Sequence, residues 1–204
     1  MTLCLITDRR RQDPIAQARQ AVQARIDLIQ IRERDLEAAA LATLVRAVIG
    51  VTRTGASTRV VVNDRLDVAL ACGADGVHLR GDSMTAGSVR SAAPQGFLVG
   101  RSVHTPEQAR DAGPVDYLIA GTVFRTPSKP EAAPLIGLDG LASIVRAAPA
   151  PVLAIGGITV ERVGTIAATG AAGIAAIGLF AGAEPLTSVA EAARMRFDTA
   201  KSAP

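Results

Sequence analysis

The sequence predicts an α/β chain folded as one (β/α)8 TIM barrel over residues 1–204, and three observations carry that prediction. Eight short apolar runs alternate with helical segments. The runs are apolar at consecutive positions rather than at every second one, the pattern of parallel strands covered on both faces. A repeat marks every second strand, where a small residue is followed shortly by Asp or Gly: Ala24 before Asp27, Gly73-Ala74-Asp75-Gly76, Gly113-Pro114-Val115-Asp116 and Gly170-Ala171-Ala172-Gly173. Units of this kind closing on themselves give a parallel barrel ringed by helices. An open doubly wound sheet is the alternative, and it needs edge strands of a different character, of which the sequence shows none.

The apolar runs place strands at 3–6, 28–31, 60–62, 76–79, 97–99, 117–120, 152–155 and 174–177. The first helix opens at Asp13-Pro14, an N-cap acceptor followed by a proline already shaped for the first turn, and Ile15, Ala18 and Val22 share one face. Residues 37–50 are rich in Ala and Leu and read as helix. Further helices run over 66–72, closed by Gly73, over 84–93, closed by Pro94, and over 106–112, closed by Gly113-Pro114. Residues 122–136 break the alternation. They hold three prolines and little periodicity, so they form a long loop of the kind that carries function in a compact domain. Helices resume near 139–148, 159–169 and 185–197.

A hydrophobic content of 49% with 19 glycines suits a folded α/β domain and excludes a disordered chain. No apolar run reaches the roughly 18 residues of a membrane helix, and the N-terminus enters a strand without a signal-peptide layout, so a cytoplasmic protein with no membrane contact is expected. Cys4 and Cys72 are too few for a disulfide framework and are expected as reduced, buried thiols. The net charge of +3 comes almost wholly from arginine, since Lys129 and Lys201 are the only lysines. Aromatics make up 2% and no basic block interleaves with stacking residues, which speaks against nucleic acid and for small anions such as phosphate esters. Oligomeric state is not legible, although apolar patches on barrel helices allow a homo-oligomer.

In such a barrel the residues past the C-terminal end of each strand share one mouth. These are Thr7-Asp8, Arg32-Glu33-Arg34, Asn63-Asp64, His78 with Arg80 to Ser83, Arg101-Ser102-Val103-His104, residues 121–129, Gly156-Gly157 and Gly178. Glycines at 156, 157 and 178 let backbone N–H groups approach a phosphate, with a short helix near Gly178 adding its dipole; they can also simply relieve crowding at tight turns. In Thr126-Pro127-Ser128-Lys129 two hydroxyls and a lysine can close over an anion, or form a solvated turn. Asn63-Asp64 can cap the next helix, or Asp64 can hold a divalent cation, for which one carboxylate is a thin donor set. Arg32 and Arg34 alternate along an extended segment, which suits Arg32 for bidentate recognition of an anion unless it pairs with Glu33 or Asp35. His104, in Gly100-Arg101-Ser102-Val103-His104-Thr105, can be a proton carrier, a metal ligand or a ring satisfied by backbone.

Leu5-Ile6-Thr7-Asp8, Gln30-Ile31-Arg32-Glu33, Val62-Asn63-Asp64, Gly76-Val77-His78-Leu79, Gly121-Thr122-Val123-Phe124, Thr126-Pro127-Ser128-Lys129 and Ala154-Ile155-Gly156-Gly157-Ile158 together resemble the thiamine phosphate synthase/TenI superfamily. The resemblance runs from the first strand to the last helix. It implies a (β/α)8 barrel that binds a thiazole phosphate, with the phosphate near Gly156, Gly157, Ile177 and Gly178. Substrate contacts are implied at Arg32, Arg34, Asn63, Ser102, Thr126, Ser128 and Lys129. The synthase branch joins hydroxymethylpyrimidine diphosphate to thiazole phosphate with Mg2+, and its pattern has a lysine where Arg34 stands and a metal-binding Asp where Ser83 stands. The TenI branch, thiazole tautomerases, shows a serine at Ser83, a Gly-Arg-Ser-Val-His stretch like 100–104 and an acidic-Pro-Leu run like Glu184-Pro185-Leu186. On those grounds the expectation is an isomerase that aromatises a carboxylated thiazole phosphate without cofactor or metal, with His104 as general acid/base. The alternatives are the Mg2+-dependent synthase, with Asp64 as a metal ligand, and a non-catalytic regulator that keeps the phosphate site.

Overall fold

The computed structural model describes residues 1–53, 58–126, 130, 132, 134–182 and 184–201. It shows the expected closed barrel: eight parallel strands in the order β1 to β8, with β1 paired to β8. The strands are β1 (Thr2–Ile6), β2 (Leu28–Ile31), β3 (Arg59–Asn63), β4 (Gly76–Leu79), β5 (Leu98–Val103), β6 (Tyr117–Gly121), β7 (Val152–Ile155) and β8 (Gly173–Ala176). The helices are α1 (Pro14–Gln23), α2 (Ala38–Thr52), α3 (Leu66–Cys72), α4 (Ala86–Ala92), α5 (Pro106–Arg110), α6 (Gly137–Ala147), α7 (Val163–Ala168) and α8 (Leu186–Lys201).

Period-2 geometry divides each apolar run between two environments. Leu3, Leu5, Ile29, Ile31, Val60 and Val62 face the helices. Cys4, Ile6, Leu28, Val61, Tyr117, Ile119, Leu153 and Ala175 fill the barrel interior. Continuing the inward set toward the strand ends gives Arg32 after Leu28 and Gln30, Asn63 after Val61, and Ser102 after Leu98 and Gly100. The barrel's own register therefore delivers these polar side chains to the mouth. Cys4 is buried and Cys72 half-buried, both free thiols, and burial pushes the Cys4 thiol far above its ordinary range.

The repeat before every second strand has a structural cause. The Asp27 N–H donates to the Leu3 carbonyl while its carboxylate accepts the Leu3 N–H at 2.8 Å. Asp75 does the same with Val60, at 2.7 Å to its carboxylate, and Asp116 with Val99, at 2.6 Å. Each aspartate thus pins the start of the preceding strand at the floor of the barrel, opposite the mouth, where such residues serve stability. The hydrogen bonds also correct the register of the fourth copy. The residue equivalent to the aspartates is Ala172, whose N–H reaches the Val152 carbonyl but which has no carboxylate, rather than Gly173. Gly173 is required for another reason, since a Cβ there would lie 1.9 Å from the Thr2 carbonyl oxygen.

Other boundaries follow their local signals. Asp13 caps α1, accepting from the N–H groups of Ile15 and Ala16, and Gly73 closes α3 in the left-handed region at φ 67°. Segment 159–169 splits into a 3-10 turn (Val160–Arg162) and α7. A second 3-10 turn, Gly178–Ala181, is the short helix expected there. The clearest departure is β5, which runs on through Val103, so Gly100, Arg101 and Ser102 are strand residues and His104 is the first residue beyond. No helix among the described residues is long and apolar enough to cross a membrane.

Candidate active site

The mouth between β2, β3 and β4 is built around arginines. Arg32 is half-buried, its N–H held by Thr7 Oγ1 at 3.0 Å, and its guanidinium has no hydrogen bond or ion pair among the described residues. The carboxylates that were candidates to pair with it are engaged elsewhere. Glu33 is buried, accepts from the Thr7 hydroxyl at 2.7 Å and from the Arg9 N–H at 3.1 Å, and so ties down the loop after β1. Asp35 pairs with Arg9 at 2.8 Å and Arg10 at 3.1 Å. Burial lowers the Arg32 pKa most, followed by the like charge of Arg34, while Asp8 and Glu33 oppose the shift and Arg80 adds to it. An unpaired guanidinium crowded by two others is a site arranged for an anion. Arg34, Asn63, Asp64 and Arg80 line a cavity of about 160 Å³ with Ile31, Leu36 and Leu41, and Arg32 is not part of its wall.

Asp64 does not cap α3. Arg65 stands at the N-cap, with no side-chain capping hydrogen bond, and Asp64 adopts a left-handed φ of 59° with its N–H on the His78 carbonyl at 2.9 Å. That conformation turns its carboxylate toward the loop after β4. Oδ1 accepts a hydrogen bond from the Ser83 hydroxyl, and Oδ2 faces Arg80 Nη1 at 3.4 Å. Arg80 Nη2 also reaches Asp82 at 2.6 Å, and the Arg80 N–H donates to Ser83 Oγ at 2.9 Å. Arg101 staples the same loop, donating to the carbonyls of Gly81 at 3.0 Å and Met84 at 3.4 Å.

Below the mouth a polar column joins three neighbouring strands, β4, β5 and β6. His78, on β4 and 2% exposed, contacts Tyr117 Oη through Nδ1 at 3.2 Å and Ser102 Oγ through Nε2 at 2.9 Å. Burial, reinforced by Arg32, lowers its pKa to about 3, so the imidazole is neutral. One nitrogen donates and the other accepts, which lets it bridge both hydroxyls in either tautomer. Tyr117 fits only because residue 100 is glycine, since a Cβ there would lie 2.1 Å from the ring. The column thus fixes the direction of Ser102 at the rim. The amide of Gln30, buried in the same interior, leaves Nε2 without a partner among the described residues.

On the opposite rim Gly156 and Gly157 have φ of 103° and 61°, and a Cβ on either would strike the loop after β6, 2.4 Å from Thr122 Cγ2 or from the Arg125 carbonyl oxygen. Crowding alone therefore demands glycine at both positions. Gly178 is different, because a Cβ there would meet only open space. Ile177 precedes it, one residue past the end of β8. Thr126 is half-buried at the edge of the long loop, whereas Ser128 and Lys129 lie outside the described residues. His104 is exposed, with Nδ1 on the Gly121 carbonyl and its N–H on Gln108 Oε1 at 2.7 Å. Strand alternation would have revealed Gln30 as inward-facing, but nothing local in the sequence tells that Arg80, beyond β4, meets Asp64, beyond β3.

Fold and mouth together define a (β/α)8 barrel whose mouth carries three arginines, Arg32, Arg34 and Arg80. Residues 3–180 match the thiamine monophosphate synthase family, and the chain belongs to that family. A thiamine-phosphate synthase of Methanoregula boonei is 42% identical over 90% of this chain and 86% of its own length. One of Roseiflexus castenholzii is 42% identical over 88% of this chain and 80% of its own. Among solved structures, thiamine phosphate pyrophosphorylase from Pyrococcus furiosus superposes with a TM-score of 0.86 at 34% identity, covering 98% of this chain and 96% of that one. A 3-hexulose-6-phosphate synthase, at 20% identity and a TM-score of 0.72, shares the fold.

These comparisons overturn the expectation of a tautomerase, because the similar proteins are named as synthases, that is, transferases rather than isomerases. The geometry shows why the local motifs misled. Ser83 is bonded to Asp64 and Arg101 to loop carbonyls, so two features that suggested the isomerase branch hold the rim together. The acid/base role of His104 was tied to that reaction and falls with it.

Proposed function

We propose that the chain is a thiamine-phosphate synthase, which transfers the hydroxymethylpyrimidine group from its diphosphate to thiazole phosphate. The thiazole nitrogen forms a bond to the pyrimidine methylene carbon, the bond from that carbon to diphosphate oxygen breaks, and inorganic diphosphate leaves with the electron pair. Such a reaction needs positive charge where the leaving group gathers negative charge. The observation that carries the reading is the half-buried Arg32 guanidinium, unpaired among the described residues and subject to the like charges of Arg34 and Arg80.

In this reading Arg32, Arg34 and Arg80 hold the diphosphate, and Asn63 and Ser102 orient the pyrimidine, Ser102 being aimed by His78. The backbone at Gly156, Gly157, Ile177 and Gly178 receives the thiazole phosphate, and the open space at Gly178 suits that role. Thr126 is a further candidate contact, and the resemblance assigns Ser128 and Lys129 to the substrate as well. The Mg2+ implied by the resemblance fits these residues poorly. Among the described residues no three His, Cys, Asp or Glu side chains converge, and Asp64 and Asp82 already face Arg80. Supplying both precursors to the purified protein and following thiamine phosphate tests the reading: product is expected, and absence of turnover refutes it.

A further inference from the structure

At the rim between β3 and β4 the mouth departs from its family resemblance. Asp64 lies where a divalent cation is implied, yet neither of its oxygens is unengaged: Ser83 donates to Oδ1 and Arg80 faces Oδ2. The guanidinium of Arg80 spans Asp64 and Asp82, at 3.4 and 2.6 Å, and so fills the position between two carboxylates that a cation would take. Its loop is tied down twice, by the bond from the Arg80 N–H to Ser83 and by Arg101 on the Gly81 and Met84 carbonyls. A hydrated Mg2+ could enter only by displacing a tethered cation and keeping an octahedral shell on what remains. A guanidinium needs no such shell, and it carries planar donors that match phosphate oxygens.

We propose that Arg80 is a built-in replacement for the divalent cation, so that this mouth binds the diphosphate group through Arg32, Arg34 and Arg80 without metal. The inference rests on the synthase reading and goes beyond it, since that reading requires only that diphosphate bind. It also accounts for Ser83: an acidic residue there would add a third negative charge around Arg80, whereas a hydroxyl both accepts from the Arg80 backbone and donates to Asp64.

The test is calorimetric titration with inorganic diphosphate, once in excess EDTA and once in excess Mg2+. The Kd of the wild-type protein is expected to agree within about threefold between the two conditions. Arg80→Gln removes the tethered charge, frees Asp64 and is expected to weaken binding in EDTA by roughly tenfold to a hundredfold, with part of the loss recovered in Mg2+. Arg80→Lys keeps the charge and stays within about tenfold of wild type in EDTA. Thermal unfolding of each variant establishes that the barrel is intact. Wild-type binding that appears only with Mg2+, or unchanged EDTA binding by Arg80→Gln, overturns the inference and leaves the synthase reading standing. No diphosphate binding in either condition overturns both.

Discussion

Acidification tests the buried column directly, because His78 is neutral inside the barrel and is protonated readily once exposed. Its pKa falls from 6.5 to about 3 on folding. A group whose folded pKa is depressed in this way favours folding while the unfolded form is also neutral. As pH drops below 6.5 the unfolded chain takes up a proton that the folded chain refuses, so stability is lost progressively down to about pH 3. Between pH 7 and pH 5 the loss from this one histidine is about 2 kcal/mol, and the whole interval amounts to about 4–5 kcal/mol. Urea unfolding at both pH values measures it, with His78→Gln as the reference, since a glutamine amide can still reach Tyr117 and Ser102 but does not titrate. The wild-type protein should lose about 2 kcal/mol more than the variant between pH 7 and pH 5. Equal losses in the two proteins would show that His78 is protonated in the folded state, or open to solvent, and would refute the account of the column.

Two further substitutions probe the scaffold and the site. Gly100→Ala places a methyl group 2.1 Å from the Tyr117 ring, so the protein should lose about 1–3 kcal/mol in urea unfolding, with a rise in KM for the pyrimidine substrate as Ser102 is displaced. Wild-type stability in that variant would mean the ring has room to move. Arg32→Gln removes the unpaired guanidinium while leaving the loop bonds of Glu33 in place, and kcat/KM for coupling should fall by roughly a hundredfold to a thousandfold without loss of thermal stability. A fall below about tenfold would take Arg32 out of the diphosphate site.

Much of the barrel is legible in the sequence because its strands are buried on both faces, so consecutive apolar residues mark them. The same logic fails at the mouth. β5 looks three residues long at 97–99 because Gly100, Arg101 and Ser102 are not apolar, yet they continue the strand; interior positions near the rim face the site and need not be greasy. Glycine is needed at 100 because of the Tyr117 ring, its register partner on the neighbouring strand β6, which no local pattern shows. The aspartate repeat is visible in the sequence, but its register is visible only through hydrogen bonds, which move the fourth copy to Ala172. Asp64 resembles a helix cap until its left-handed backbone turns it toward Arg80. Ser83 and Arg101 look like marks of an isomerase because local motifs carry no record of partners brought in from neighbouring strands.

The coupling reaction itself is the most direct measurement. Purified protein is given hydroxymethylpyrimidine diphosphate and thiazole phosphate together, with Mg2+ in the buffer, and thiamine phosphate and inorganic diphosphate are quantified over time. The account predicts that both appear, in equal amounts, and that both disappear when either precursor is withheld. Absence of thiamine phosphate with both precursors present, from a protein that is folded by thermal unfolding, would contradict it.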